Sequence, residues 1–120
     1  MVSKNTVIRP IRKVDVVEMM GRTYPHSIRG YAAERDGVLT GIAGIMYTQP
    51  LQCFSTLTDD IKGDKRAVVK AARLMRELLN KCNGDVYAMA SHTEPTAPGF
   101  LRHIGFDEIT EGVYRWTQNK

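Results

Sequence analysis

The chain has 120 residues, a length that suits one domain with a single core and is too short for two. Its composition, 42% hydrophobic and 25% charged, is that of an ordinary globular protein and excludes low-complexity and membrane-spanning classes. Seventeen basic residues against 13 acidic ones give a net charge of +4. This mild excess suits a polyanionic ligand, but by itself it does not indicate nucleic-acid binding.

The two cysteines, Cys53 and Cys82, are far apart, and neither has another cysteine or a histidine at metal-ligand spacing. The sequence therefore predicts free thiols and no zinc site. Residues 1–5 contain no apolar core of the kind found in a secretion signal. We accordingly expect one cytoplasmic domain over residues 1–120, without membrane contact.

The first half of the chain predicts one short helix among strands. The hairpin signal is Asp36-Gly37, which separates two apolar runs. Glycines at 41 and 44 weaken the second of these runs as a strand but permit close approach by another element. The predicted elements are a strand, a helix and two further strands, in the order Thr6–Ile11, Val14–Arg22, Ile28–Arg35 and Val38–Tyr47.

The centre of the chain predicts a strand, a glycine turn and one long amphipathic helix. Leu51–Leu57 alternates as a strand does, and Thr58–Asp64 is rich in turn-forming residues. From Lys65 to about Cys82 the apolar period becomes helical. One face of this helix is apolar and is predicted to be buried: Val68, Ala72, Met75 and Leu79.

The last third predicts a buried strand, a short helix and a closing hairpin. These elements are, in order, Val86–Ala90, Ala97–Ile104, Phe106–Ile109 and Gly112–Trp116. A turn at Thr110-Glu111 joins the last two strands. The complete order, β, α, β, β, β, α, β, α, β, β, predicts an α/β domain with a mixed sheet.

The start of the long helix is a candidate anion site. Its first amides have no partner within the helix, and the helix dipole places partial positive charge there. Lys62, Lys65 and Arg66 add full charges around Gly63. The pattern indicates a phosphate-bearing ligand, and the alternative is a plain turn with solvated cations.

The C-terminal residues resemble a known family. Ala97, Phe100, Gly105 and Phe106 form an Ala-x-x-Phe-x-x-x-x-Gly-Phe pattern. With the element order and the glycine turn, this pattern resembles the GNAT superfamily of acetyl-CoA-dependent N-acetyltransferases over about Val7–Trp116. A weaker similarity is to compact GNAT-like proteins of tailed bacteriophages. The resemblance implies a GNAT-like acyl-CoA N-acyltransferase fold, with a mixed, mostly antiparallel sheet flanked by helices.

The sequence departs from the family at three points. The family's pyrophosphate loop is typically Gln/Arg-x-x-Gly-x-Gly/Ala, whereas residues 60–65 keep only the middle glycine, Gly63. Glu94 stands where the family often has asparagine, and Leu101 where it often has a tyrosine that acts as general acid. Because leucine cannot donate a proton to a departing thiolate, we expect weak transfer from a divergent site.

The resemblance implies acetyl-CoA as the cofactor and an amine as the substrate. The pantetheine arm would pair with the backbone of the fourth strand at Cys53, Ser55 and Leu57, in a gap beside the fifth strand. The pyrophosphate would meet the turn and the helix start, which comprise Lys62, Gly63, Asp64, Lys65 and Arg66.

For proton transfer, His92 after the fifth strand is the best-placed group, because an unperturbed histidine has a pKa near ~6.5. Ser91 and Glu34 are further candidates. The alternative stays open, since an isolated histidine in a polar loop is often only solvated. Cys53 is interpreted as a buried apolar residue rather than a nucleophile, because no basic partner lies near it in sequence.

Two functional classes stay open at this point. The first is an acetyltransferase that moves an acetyl group from acetyl-CoA to an amine, and the second is a GNAT-fold binding or assembly protein of phage type that has lost catalysis. Nucleic acid is disfavoured because Glu77 interrupts the basic stripe and no aromatic residue interleaves it. The sequence leaves a homodimer open.

Overall fold

A computed structural model describes residues 6–58, 61, 63–89 and 97–117. The strands are β1 Thr6–Pro10, β2 Ile28–Arg35, β3 Val38–Met46, β4 Leu51–Leu57, β5 Val86–Met89, β6 Asp107–Thr110 and β7 Val113–Trp116. The helices that position the site are α1 Lys13–Met20, α2 Lys65–Asn80 and α3 Ala97–Ile104. The order of elements predicted from the sequence is confirmed.

All the described strands belong to one sheet, in the order β1-β2-β3-β4-β5-β7-β6. Neighbouring strands are antiparallel except β4 and β5, which are parallel. The prediction of a mixed, mostly antiparallel sheet flanked by helices is therefore confirmed. The parallel pair needs a long crossover, which α2 provides.

Several predicted boundaries were wrong by one or two residues. Helix α1 starts at Lys13 and stops at Met20, because Gly21 adopts a left-handed φ of 76° and caps the helix through a hydrogen bond to Val17. Strand β1 ends at Pro10, β3 at Met46 and α2 at Asn80, each short of its predicted limit. Ala90, the predicted end of β5, lies outside the described residues.

The closing hairpin is also shifted by one residue from its prediction. Phe106 lies between α3, which ends at Ile104, and β6, because its N–H and that of Gly105 both donate to the carbonyl of Leu101 near the end of the helix. Its ring packs on Trp116 with the centroids 6.2 Å apart. The strand β6 therefore begins at Asp107, and the turn falls at Glu111-Gly112.

The core lies on both faces of the sheet. One face packs against α2 and α3, and here Ala72, Met75 and Leu79 are fully buried, as predicted. Val68 is only half-buried, so that prediction was wrong; this residue lies in the first turns of α2, beside the small cluster near edge strand β1. The other face packs against α1 around Val16 and Ile42.

Close backbone approach explains two glycines in the central strands. A side chain on Gly30 would collide with the carbonyl oxygen of Ala43 on the neighbouring strand β3. A Cβ on Gly44 would lie 2.5 Å from the carbonyl oxygen of Arg29 and 2.9 Å from the ring of Phe54. The glycine at 44 therefore permits close approach by both neighbouring strands, as the sequence predicted for this position.

An ion-pair network joins α1 to the first two strands. The guanidinium of Arg9 donates to both oxygens of Asp15 at 2.7 and 2.8 Å and to Glu34 at 3.1 Å. Asp15 is buried and also accepts from the N–H of Arg12 at the start of α1. The hydrogen bond from Arg9 lowers the pKa of Asp15, so this carboxylate stays charged at neutral pH.

None of the helices in the described part of the chain is long and apolar enough to cross a bilayer. Within the same residues, no cluster of three histidine, cysteine or acidic side chains is placed to hold a metal ion.

Candidate functional site

The parallel strands β4 and β5 separate soon after they begin. They pair only at Leu51 with Val86 and at Gln52 with Tyr87. Strand β4 then continues to Leu57, while β5 runs to Met89 paired with β7 on its other side. From Cys53 onward, the edge of β4 that faces β5 has no strand partner among the described residues.

The register of β4 on β3 shows which backbone groups face this gap. Thr58 donates its N–H to the carbonyl of Thr40, so it bonds toward β3. Bonded residues alternate along an antiparallel ladder, and the pairing of β3 with β4 is continuous from Gln52 to Leu57. The residues that bond away from β3, toward the gap, are therefore Cys53, Ser55 and Leu57. These are the backbone positions that the sequence predicts for the cofactor arm.

The side chains of these residues point toward α2 and α3. Cys53 is buried in the core beneath α2, and Ser55 and Leu57 are half-buried. An apolar cavity of about 20 Å³ is lined by Leu57, together with Tyr31 and Phe100. This volume holds about one water molecule, so the interior beside Leu57 is closely packed.

The turn before α2 is held by its own acidic residue. Asp64 is the N-cap of α2, and its carboxylate accepts from the N–H of Ala67 at 3.1 Å. The same carboxylate accepts from the hydroxyl of Thr6 at 2.6 Å and lies 3.6 Å from the guanidinium of Arg35. The hydrogen bond from Thr6, with that from Ala67, lowers the pKa of Asp64. A phosphate at this turn therefore shares the helix start with a carboxylate.

Two of the three predicted phosphate-binding cations are among the described residues. Lys65 and Arg66 begin α2 and are exposed, and Gly63 is exposed in the turn. The N–H of Asp64 closes this turn on the carbonyl of Ile61. Lys62 lies outside the described residues. The structure places Gly63 through Arg66 after the end of β4, where Asp64 contacts Thr6 of β1 and Arg35 of β2.

The candidate catalytic residues are less well defined. His92 and Ser91 lie outside the described residues, so their roles stay predictions. Glu34 lies on β2, two strands from β4, and its carboxylate accepts from Arg9. Leu101, the residue that replaces the family's usual acid, is buried in the core. Among the described residues, no tyrosine hydroxyl of α3 faces the gap, since α3 has no tyrosine.

A larger cavity, of about 690 Å³, lies at the opposite end of β4 from the turn at Asp64. Tyr47, Pro50, Lys81 and Asp85 contribute to its lining. It also reaches Cys82, whose thiol lies 3.6 Å from the carbonyl oxygen of Leu78. This cavity is separate from the gap between β4 and β5.

Both thiols should resist alkylation in the native protein. Burial raises the pKa of Cys53 to about 12 and also raises the pKa of Cys82, so both thiols are protonated at neutral pH. We expect iodoacetamide at pH 8 to modify neither residue in the folded protein and both in urea, as counted by mass spectrometry. Rapid loss of one native thiol would show that the surrounding core opens readily.

Sequence reasoning missed the groups that hold the turn in place. Thr6 and Arg35 come from β1 and β2, far from Asp64 in the chain. An aspartate directly before a helical apolar period is an N-cap signal, and it could have identified the role of Asp64. No local pattern indicates the partners of its carboxylate.

Solved structures of acetyltransferases resemble this chain. Aminoglycoside acetyltransferase AAC(6')-Ib in complex with coenzyme A and kanamycin is 16% identical, with a TM-score of 0.60 over 96% of each chain. The spermidine/spermine N-acetyltransferase SpeG from Vibrio cholerae is 13% identical, with a TM-score of 0.59 over 97% of this chain and 96% of its own.

An acetyltransferase from Agrobacterium tumefaciens is also similar, at 13% identity and a TM-score of 0.58 over 98% of this chain and 96% of its own. No protein-family model and no curated protein matches the sequence. The similarity therefore lies in the backbone and covers nearly the whole length of each protein. The chain has the GNAT acyl-CoA N-acyltransferase fold.

Proposed function

We propose that the protein is an N-acetyltransferase that moves the acetyl group of acetyl-CoA to an amine. The observation that carries this proposal is the unpaired edge of β4, where Cys53, Ser55 and Leu57 direct their backbone groups into the gap beside β5. The pantetheine arm contains amide groups and can pair with that edge as an added strand does. Such main-chain binding tolerates a divergent sequence.

The pyrophosphate of this arm would meet the turn before α2, which follows β4 in the chain. Lys65 and Arg66 supply charge there, and the helix dipole adds to it. The carboxylate of Asp64 opposes phosphate binding at this turn, because it is negatively charged and already accepts a hydrogen bond from the N–H of Ala67. The donor is therefore held mainly by the backbone of β4 and by these two cations.

Acetyl transfer needs an amine that has lost its proton and a thiolate that gains one. The amine nitrogen forms a bond to the acyl carbon as the C–S bond breaks. His92, Ser91 or Glu34 would take the amine's proton, and the unpaired edge of β4 would hold the thioester in line. Because Leu101 cannot protonate the thiolate, transfer is slow toward generic small amines.

The test combines calorimetric titration of acetyl-CoA with steady-state thiol release in the presence of kanamycin, spermidine and simple amines. We expect binding, and thiol release that is about 10²- to 10⁴-fold below that of an enzyme with a positioned acid. The variant His92→Ala identifies the base if it alone stops release. Absence of acetyl-CoA binding would refute the proposed function, and a fast wild-type rate would refute the role assigned to Leu101.

The cations at the turn are expected to contribute to the binding of coenzyme A. Replacing Lys65 and Arg66 together by alanine should weaken binding of coenzyme A, and the remaining affinity should depend less on salt. The matched control replaces Lys13 and Arg29, two exposed cations elsewhere on the surface, and should leave affinity within about twofold. Equal affinity in all three proteins would show that phosphate does not bind at this turn.

A further inference from the structure

Helix α2 carries the whole net charge of the protein. It contains one acidic residue, Glu77, and five cations: Lys65, Arg66, Lys70, Arg73 and Arg76. Its excess of four positive charges equals the +4 of the complete chain, so the remaining residues sum to zero. The charge is thus concentrated on one element rather than spread over the surface.

Four of these cations form one solvent-facing surface, which we call the basic face: Lys65, Arg66, Lys70 and Arg73, with Val69 between them. All five residues line a shallow groove of about 320 Å³ on α2. Within the described part of the chain, no carboxylate forms an ion pair with any of the four cations. Val69 is 50% exposed at the centre of this charged surface.

The stability of α2 does not explain the basic face. Lys65 and Arg66 stand in the first turn of the helix, where the dipole disfavours positive charge. Arg66 and Lys70 are four residues apart, a spacing at which like charges repel on a helix surface. The N-cap carboxylate of Asp64 lies beside the first turn, but the first turn itself contains no acidic residue. The clustered cations do not stabilise α2, and a binding role would account for them.

A phosphate at the turn before α2 accounts for only part of the basic face. Lys70 and Arg73 are five and eight residues beyond Lys65, which places them about 7.5 and 12 Å further along the axis at about 1.5 Å per residue. They extend the positive surface away from the turn. A partner that contacts them reaches well beyond the pyrophosphate.

The composition of the basic face favours a protein over a nucleic acid. No aromatic side chain lines the groove to stack on a base, and its centre is the apolar side chain of Val69. An acidic helix with one apolar residue among its carboxylates matches this surface in charge and in its central contact. The basic face begins at Lys65, eight residues after the end of β4, so a partner docked there would extend its arm from the helix start to the edge of β4.

We propose that an acidic carrier protein, which bears its acyl group as a thioester on a phosphopantetheine arm, docks on the basic face and serves as an acyl donor. This inference rests on the proposed function, because the arm would enter the same gap beside β4. The amine nitrogen bonds to the acyl carbon, the C–S bond breaks, and the thiolate leaves on the carrier's arm. That thiolate gains the equivalent of the proton that the amine loses.

The experiment compares acetyl-loaded acyl carrier protein with acetyl-CoA as donors to one amine, by mass spectrometry of the acetylated amine. Binding of fluorescently labelled holo-carrier is measured in parallel, so a slow rate does not prevent the comparison. The test variant is Lys70→Glu with Arg73→Glu. The matched control, Lys13→Glu with Arg29→Glu, makes the same change in net charge on another part of the surface.

We expect the Lys70/Arg73 variant to lose at least about 10-fold in kcat/KM and in affinity for the carrier, and to change by less than about twofold with acetyl-CoA. Val69→Ser should weaken carrier binding without altering its dependence on salt, and the control variant should behave as wild type. These differences would support docking on the basic face.

Three outcomes would overturn the inference. An equal loss with both donors would assign the basic face to the phosphates of coenzyme A, and the proposed function would stand. If wild type binds acetyl-CoA but not the carrier, docking of the carrier is excluded and the proposed function also stands. A short single-stranded RNA that binds this face more tightly than the carrier would make it a nucleic-acid surface instead.

Discussion

Replacing Ala72 by aspartate is expected to destabilise the protein by about 3–5 kcal/mol, because it places a carboxylate without a partner in the core. Ala72 is fully buried on the face of α2 that packs against the sheet, beside Met75. A domain of this kind has only about 5–15 kcal/mol of stability, so the variant should be largely unfolded on mild heating. Urea denaturation followed by circular dichroism measures the loss.

The control introduces the same residue at an exposed position of the same helix. Val69→Asp adds a carboxylate where the side chain is half-exposed and surrounded by cations, so we expect stability close to that of wild type. If Ala72→Asp were as stable as Val69→Asp, the face of α2 that packs on the sheet would be wrongly assigned.

Replacing Ser55 by proline is expected to reduce affinity for coenzyme A by about 10- to 100-fold, because proline removes the N–H that faces the gap. Among the described residues, the N–H of Ser55 has no strand partner on the side of β5, and the ladder to β3 does not use it. The fold should therefore keep most of its stability. Calorimetric titration and thermal melting are measured on the same sample.

The neighbouring position gives the matched control. Thr56 bonds toward β3, so Thr56→Pro removes a ladder hydrogen bond within the sheet and should lower the melting temperature more than Ser55→Pro does. If the two variants bound coenzyme A equally well, the arm would not pair with β4. If Ser55→Pro melted lower than Thr56→Pro, the assignment of alternate residues along β4 would be reversed.

Local sequence patterns predicted the elements well, because the formation of each element depends mainly on residues close together in the chain. The alternation of Leu51–Leu57, the helical period after Lys65 and the turn at Asp36-Gly37 all correspond to structure at those places. Boundaries were less certain, since they depend on caps. Gly21 ended α1 early, and the hydrogen bond from the N–H of Phe106 to the carbonyl of Leu101 keeps this residue out of β6.

The fold that carries the candidate site was also predictable. The C-terminal pattern indicated the fold that the solved acetyltransferases share, whereas the anion site at Lys65 and Arg66 stays a prediction. The role of Cys53 followed from its neighbours in sequence, and its burial agrees. Charge, length and periodicity are properties of a segment, so they can be read without knowing its neighbours in space.

The sequence by itself determined the order of the strands and helices, the apolar face of α2 and the concentration of positive charge on that helix. Only the tertiary structure decided where β4 leaves β5, which residues of β4 face the resulting gap, and how Thr6 and Arg35 engage Asp64. Strand pairing and these contacts join residues far apart in the chain. Their geometry depends on how the whole sheet twists and packs, which no local pattern contains.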